Sequence, residues 1–573
     1  MDKSNDLAAP ASVGEAFIAH LAARGVDYFF GNAGTDFPPI IEGLAKRRAL
    51  GLPVPRPITV PHENTAMAMA HGYYLATGRP QAVMVHTTVG TANAVCGLMN
   101  ASRQNVPILL FAGRTPITEH GQRGSRNRVI HWAQEAYDQA GMVREYVKWE
   151  YELRQVNDLH AVLDRAISIA TSEPFGPIYL TLPREVLASP PGAAVNPRPL
   201  ARPVRQLAPD RHLLEQAVAL IAAARFPVLV TTTLGRYPEA TRILSELAER
   251  FAIPVVVNWP RYVCLATDHP MHLGYSPAPI LKDADVVIVV DCDVPWAIPP
   301  ETPPSDARVI HIATDPLFQD YPMRTFASDL TIASSPAIAL QAIASGLAER
   351  ADTFQGVVTA RRRDVAERQA SLIAQRQSAL EKSRANRPLS PAFVSHCIDR
   401  IKGEDSILIN ESPLAMDHLR FSQPGQFFSA AAVGGLGWGL GAALGLKLGV
   451  PNKNVIACVG DGAYVFGNPT SAHLVSRAHD LPFLTVIFNN RMWGAVNRAT
   501  KFMYPEGFAA KSNDVPLTLL EPTPDYEKVV AASGGLGIQV TEPEALLPAL
   551  QQALQAVRRE RRQAVVNVLT EGV

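Results

Sequence analysis

The 573-residue chain is 47% hydrophobic and 18% charged, enough to bury several cores, and a prior of roughly one domain per 150 residues points to three or four domains. Lys and Arg total 53, as do Asp and Glu, so no net field exists to gather nucleic acid, anionic lipid or a highly charged partner over long range. The opening MDKSNDLAAPASVGEAF has no basic segment before an apolar core, and no apolar run approaches the roughly 20 residues of a membrane span, so a soluble, cytoplasmic protein is expected.

Short β-branched runs alternate with helical patterns along the chain: AVMVH, PILLF and PIYLTL, then PVLVTT and VVIVV, then SILIN, VIACV, LTVIF and AVVNVL. This alternation predicts an α/β fold of three domains, each with a central, mostly parallel sheet flanked by helices. The stretch 188–206, with five prolines and little apolar period, reads as an extended surface linker, and the charged, Ala- and Arg-rich stretch 350–387 as a connecting helix. Domains are therefore expected at 11–187, 207–345 and 388–573. Cys96, Cys264, Cys292, Cys397 and Cys458 form no CxxC pair and are expected to be core thiols.

Three segments carry candidate chemistry. HENTAMAMAHGYYLATG places Glu63 in the opening turn of a helix, where an acid can simply complement the helix dipole. The cluster AAAVGGLGWGLGAALG imitates a dinucleotide fingerprint, but it follows small residues rather than a clear strand and lacks an acid about 20 positions on in a second strand. In VIACVGDGAYVFG a strand runs into Gly460-Asp461-Gly462, and the next strand, LTVIF, ends in Asn489-Asn490. Such a βαβ unit exposes both strand ends on one sheet edge, so Asp461 and Asn490 can converge as hard oxygen donors suited to Mg²⁺. Taken separately, GDG and NN are ordinary turn residues.

Together, about thirty residues apart, they match the signature of thiamine-diphosphate enzymes, which begins with GDG and closes with NN. FGNAGTDFPPI, HENTAMAMAHGYYLATGRP, VHTTVGTANAV, INESP, AAVGGLGWGLGAALG and NNRMWGA extend the resemblance to the pyruvate decarboxylase and acetolactate synthase superfamily, nearest its benzoylformate decarboxylase-like branch. The resemblance implies Glu63 as the cofactor-activating acid, His86 as a catalytic histidine, and Thr35 where that branch has an active-site serine. His269 aligns with its second histidine, although related synthases also carry a His-Pro there. Asp461, Asn490 and the carbonyl of Met492 are the implied Mg²⁺ ligands, and Gly460, Gly462, Ala463 and Trp493 line the same cofactor loops. Leu436 is the implied apolar wedge under the cofactor, and Gly434 offers it a carbonyl.

Some positions depart from the pattern. Ala499 stands near the place of a phenylalanine that packs on an aryl substrate, and with Ala495 it is a candidate pocket residue. Arg114 stands where many relatives have glutamine, as a carboxylate or phosphate binder or as an ion-pair partner. The segment 501–524 is longer than the branch predicts, a lid or plain surface.

The implied activity is a thiamine-diphosphate- and Mg²⁺-dependent 2-oxo acid decarboxylase or carboligase. Alternatives are an acetolactate synthase-like carboligase, a hydroxyketone or 2-hydroxyacyl-CoA lyase, and a non-catalytic homologue, which retention of Glu63, Asp461 and Asn490 argues against. Synthases of the superfamily often bind FAD in the middle domain, but TTTLGRYPEA and VVDCDVP form no FAD signature. The substrate is expected to be a small 2-oxo acid or aldehyde. Because the family's cofactor lies between the first domain of one subunit and the third of another, a homodimer or homotetramer is implied.

Overall fold

The computed structural model describes residues 9–192, 203–204, 207–297 and 302–572; of the expected linker, residues 193–202, 205 and 206 lie outside the described residues. Three all-parallel sheets carry the chain. The first contains β1 (Tyr28–Gly31), β2 (Arg56–Thr59), β3 (Ala82–Val85), β4 (Leu109–Arg114), β5 (Trp149–Glu152) and β6 (Ile178–Pro183), in the order 2-1-3-4-6-5. The second contains β7 (Pro227–Thr231), β8 (Val255–Val257), β9 (Val286–Val290), β10 (Arg308–Ala313) and β11 (Leu330–Ala333), in the order 11-10-9-7-8. The third contains β12 (Ser406–Glu411), β13 (Phe427–Ser429), β14 (Asn454–Gly460), β15 (Leu484–Asn489), β16 (Leu536–Val540) and β17 (Ala564–Leu569), in the order 13-12-14-15-17-16.

The first and third sheets thus share one topology: each places its first strand second from an edge and changes direction between its first and third strands. In open parallel sheets the crevice at such a switch point, beyond the carboxyl ends of the strands, is where ligands bind. Two such crevices lie in the terminal parts of the chain, one beyond β1 and β3 and the other beyond β12 and β14.

The nine apolar runs read from the sequence all fall in strands, because both faces of each are covered and every position from Ala82 to Val85 or Val286 to Val290 is buried. The edge strands β5 and β16 lack that signal: β5, with sequence WEYE, is half-buried throughout, and β16 is largely half-exposed. The connecting helix spans Ala351–Ser383, with a kink at Phe354. Phe354, Val358 and Val365 enter the core of the second sheet, and the buried Arg361 donates to the carbonyls of Ile221 and Ala224 there. Four cysteines are buried as expected, but Cys96 is exposed on its helix, because the apolar stripe there runs along Ala94, Leu98 and Ala101 instead.

The terminal parts meet through two helices, the glutamate helix Glu63–Thr77 and the glycine helix Trp438–Gly449. A short strand, β13, does precede the glycine cluster, contrary to the sequence reading, but the glycines serve helix packing. A Cβ added at Gly441 would lie 2.5 Å from Ala68, one at Gly445 2.0 Å from the Met69 carbonyl, and one at Gly449 2.7 Å from Ala76. These contacts advance together along both helices, so the pair is parallel and both amino ends lie at the same end of the interface. Because Gly445 faces backbone, nothing can rotate away. Gly445→Ala is expected to lower the urea midpoint by the equivalent of about 1–3 kcal/mol, whereas Gly356→Ala, with open space around it in the connecting helix, should be neutral or stabilising. Equal midpoints in a urea titration of the two variants would contradict this packing.

Candidate active site

Beyond β14, Gly460 leads into the helix Asp461–Phe466, and beyond β15 the chain turns at Asn490. Asp461 is 3% exposed; its Oδ1 accepts from the Gly462 N–H at 2.9 Å, while Oδ2 has no hydrogen-bond partner. Burial pushes its carboxyl up to about 6, against the pull of backbone N–H groups that include those of Gly462, Arg491 and Met492. A buried carboxylate with one bare oxygen is costly unless a cation or proton meets it. The Asn490 Oδ1 accepts from the Met492 N–H at 3.1 Å and the Met492 carbonyl from the Gly494 N–H at 2.9 Å, and each of these oxygens has a second lone pair. Among the described residues no three His, Cys, Asp or Glu side chains cluster as a metal site, as befits a set made of one carboxylate, one amide and one carbonyl. Such oxygens suit Mg²⁺, which keeps places for phosphate and water.

A Cβ added at Gly460 would meet nothing nearer than the Glu411 carbonyl at 4.0 Å, so the backbone there is open to close approach. Gly462 lies under Trp493, whose ring atoms would be 2.2 Å from an added Cβ, and Trp493 packs edge-on against Phe466. Ala463 is buried behind them. The segment 518–520 folds back on the loop: the Trp493 N–H donates to the Thr518 carbonyl at 2.7 Å and the Leu520 N–H to the Arg491 carbonyl at 2.8 Å. Ala495 and Ala499 share the exposed face of the helix Gly494–Met503, one turn apart. Within 501–524, Phe502, Met503, Tyr504, Phe508 and Leu517 are exposed.

At the other crevice, Glu63 opens the glutamate helix and is 5% exposed. Its Oε1 accepts from the Asn32 amide at 2.9 Å and its Oε2 from the Asn93 amide at 3.1 Å. His86 follows β3 and is the N-cap of the helix Thr87–Arg103. It is paired with Asp36, and its charge environment includes Glu63. Thr35 is exposed, and its carbonyl accepts from Arg184 at 3.1 Å. Arg114 is engaged by Glu152 at 3.1 Å and Glu135 at 3.2 Å, the arrangement of an ion-pair partner. His269 is elsewhere: its Nδ1 accepts from the Met271 N–H and its carbonyl from Gln369, and burial lowers its pKa. Among the described residues no hydrogen bond or ion pair joins the Glu63–His86 group to the Asp461–Asn490 group.

The loop before the glycine helix carries the remaining candidates. Gly434 is exposed at φ 74°, its carbonyl accepts from the Leu436 N–H at 3.0 Å, and Leu436 is half-buried. Asn100 donates to the Gly435 carbonyl at 2.7 Å, tying this loop to the Thr87–Arg103 helix. Glu411, the acid of INESP, ends β12 and caps the glycine helix: Oε1 accepts from the N–H groups of Gly437 and Trp438, and Oε2 from that of Gly439 at 2.7 Å. Burial pushes its carboxyl up to about 7 against the pull of these donors. Asp36, Asn32, Asn93 and Gln134 were not singled out by sequence; only the adjacency of Asp36 to Thr35 pointed toward one of them.

Beyond β7 and β9 of the second sheet, charged side chains pair with one another. Arg236 pairs with Asp291 and Arg261 with Asp293, both at 2.5 Å, and Tyr321 donates to Asp293 at 2.7 Å. About 40 Å³ remains between them, and a larger cavity of about 1030 Å³ opens beside the same loop, lined by Gly235, Tyr237, Tyr262 and Cys264 among others.

The fold and both terminal crevices define a class of enzyme built around thiamine diphosphate, and the comparisons agree. Residues 11–142 match the thiamine pyrophosphate enzyme N-terminal TPP-binding domain, 214–343 its central domain and 411–568 its C-terminal TPP-binding domain. The chain belongs to the thiamine pyrophosphate (thiamine diphosphate) enzyme family. It is 28% identical over 493 residues to benzoylformate decarboxylase of Pseudomonas aeruginosa, covering 83% of this chain and 85% of that protein. It is 27% identical over 572 residues to sulfoacetaldehyde acetyltransferase of Rhodobacter capsulatus, covering 94% and 91%. A solved thiamine-diphosphate-dependent 4-hydroxybenzoylformate decarboxylase of Rhodococcus jostii RHA1 shares the fold, with TM-score 0.78 and 22% identity over 98% of this chain and 100% of that one.

If Glu411 holds the loop that meets the cofactor, Glu411→Ala leaves three N–H groups unpaired and should weaken thiamine diphosphate binding at least about tenfold, read by quenching of tryptophan fluorescence. An unchanged affinity would reduce Glu411 to a helix cap alone.

Proposed function

We propose that this chain is a thiamine-diphosphate- and Mg²⁺-dependent 2-oxo acid decarboxylase or carboligase of the benzoylformate decarboxylase type. The bare Oδ2 of buried Asp461, beside Asn490 and Met492, carries the reading. When bound, thiamine diphosphate supplies the electron sink that lets a carbon–carbon bond beside a carbonyl break or form.

The chain's own residues do the rest. Asp461, Asn490 and the Met492 carbonyl hold Mg²⁺ and through it the diphosphate, while Gly460, Gly462, Ala463 and Trp493 give the close approach. Gly434 and Leu436 set the cofactor's posture. Glu63 holds and exchanges the activating proton, its two oxygens fixed by Asn32 and Asn93. His86 holds its proton above the ordinary histidine range, chiefly through its hydrogen bond to Asp36, and so can donate it to the product. That donation favours release over ligation. Exposed Ala495 and Ala499 leave an open flank for the substrate side chain, with Thr35 a hydroxyl at its rim. His269 enters as a further proton-transfer group only if a second copy brings it in.

Exposed apolar side chains flank both crevices: Val89, Ile130 and Trp132 near His86, and Val465, Phe466 and Val496 near Asp461. They support self-association as a homodimer or homotetramer in which two copies complete each site. No described helix is long and apolar enough to cross a membrane.

The test is carbon dioxide release and product identity with benzoylformate, pyruvate and longer 2-oxo acids, with and without aldehyde acceptors. The wild type should turn over at least one 2-oxo acid. Glu63→Gln should retain Mg²⁺-dependent cofactor binding while losing at least about 100-fold in kcat. Silence with every 2-oxo acid despite tight cofactor binding would favour a hydroxyketone or acyl-CoA lyase, and an unaltered rate in Glu63→Gln would remove its role.

A further inference from the structure

The crevice beyond β1 and β3 contains a side-chain pair that the family motifs leave unassigned. Asp36, in the loop after β1, is 3% exposed, and its Oδ1 meets Nδ1 of His86 in a short hydrogen bond. The pair is boxed in by backbone. A Cβ at Gly34 would fall 2.0 Å from His86 Nδ1, and one at Gly113 would fall 1.6 Å from Asp36 Oδ2. Gly113 is itself held by Gln139, which donates to its carbonyl at 3.0 Å. The carboxylate therefore cannot swing away from the ring, and the ring cannot swing toward the loop.

The other ring nitrogen, Nε2, lies 2.9 Å from the side-chain nitrogen of Gln134, whose backbone carbonyl accepts from Thr88 at 2.7 Å. Directly after the histidine, Thr87 takes φ 38°, a left-handed conformation that a β-branched residue rarely adopts. Strain of this kind persists only where the surroundings over-determine it and tends to cluster at functional sites. Here Thr91 donates to the Thr87 carbonyl at 2.7 Å and is held by the Tyr179 hydroxyl at 2.8 Å.

We infer that Asp36 is a positioning residue: it holds His86 as the Nδ1–H tautomer and presents Nε2, behind the Gln134 amide, as the atom that passes a proton to a 2-oxo acid substrate. This rests on the reading of His86 as a proton-transfer group. A carboxylate acting on one ring nitrogen fixes which tautomer the other presents. In the donating step the proton leaves Nε2 for the substrate, the bonding pair stays on Nε2, and Nδ1–H remains with Asp36; water then reprotonates Nε2. Gln134 suits both states, because its amide offers a donor to neutral Nε2 and, turned over, an acceptor to Nε2–H.

The charged groups around the ring are Asp36 from the β1 loop and Glu63 from the glutamate helix, both favouring its protonated form, with burial opposing them. Arg184 faces Asp36 from the helix that follows β6. Replacing Asp36 by Asn keeps an acceptor for Nδ1–H but removes the charge, so the ring should lose its proton at lower pH.

Diethyl pyrocarbonate modifies neutral imidazole, and peptide mass mapping of the cofactor-free full chain resolves His86 from the other histidines. Asp36→Asn should lower the pH of half-maximal modification at His86 by at least about one unit, and in the loaded enzyme kcat should fall at least about tenfold with KM nearly unchanged. If the Asn variant fails to fold, Asp36→Ser, smaller and uncharged, should show the same shift. A variant that folds and modifies at the wild-type pH overturns the inference, even if slower, since a merely structural residue would behave that way. His86→Asn separates the layers: if it is fully active while Asp36→Asn shows the shift, His86 has no proton-transfer role and the inference falls with it, but the cofactor assignment stands.

Discussion

The backbone-to-backbone contact between the Glu63–Thr77 and Trp438–Gly449 helices is the constraint that sets how the two terminal parts of the chain sit together. Each helix follows the second strand of its sheet, β2 or β13, and the two sheets share one strand order. Packing the helices in parallel, with Gly441, Gly445 and Gly449 against Ala68, Met69 and Ala76, puts both amino ends at one end of the interface. The acid that opens one helix and the loop that feeds the other are thereby held relative to each other by a contact in which glycine backbone meets backbone. A side chain in place of Gly445 would have to displace a carbonyl, so the composition of this helix is dictated by distance.

Three carboxylates, Glu63 and Asp461 buried and Glu411 half-buried, illustrate how one fold gives the same chemical group different surroundings. Glu63 has both oxygens engaged by neutral amides, which fix its position without bringing a charge to it. Glu411 has its oxygens filled by three backbone N–H groups, so it is committed to shaping the loop before the glycine helix. Asp461 is left with a bare oxygen at a sheet edge, a deficit that the proposed divalent cation would remove. Two of the three lie at the switch point between β12 and β14, where parallel topology opens a crevice without any local distortion.

Much of this was legible in the sequence, for physical reasons that also explain what was not. Strands buried on both faces announce themselves as continuous apolar runs, as in Val286–Val290, whereas β2, β5 and β16 are short, mixed edge strands with no such run. The motif residues Asp461 and Asn490 were visible because their chemistry depends on local strand-end placement. Asp36, Asn32 and Asn93 depend on long-range packing, and a polar residue in a loop carries no sign of which side chain it will meet. The glycine cluster was recognised as something other than a nucleotide fingerprint, yet its partner helix, more than 350 residues away in sequence, could only be found in three dimensions. Arg114 was open between a ligand binder and an ion-pair partner, and two glutamates settle its surroundings.

The most direct measurement of the central claim is calorimetric titration of thiamine diphosphate into the full-length chain, with Mg²⁺ and with chelator, for the wild type and for Asp461→Ala. Binding that requires Mg²⁺ in the wild type and is abolished in the variant is the predicted result. Equal affinity in chelator, or an Asp461→Ala protein that binds the cofactor as tightly as the wild type, would contradict the account.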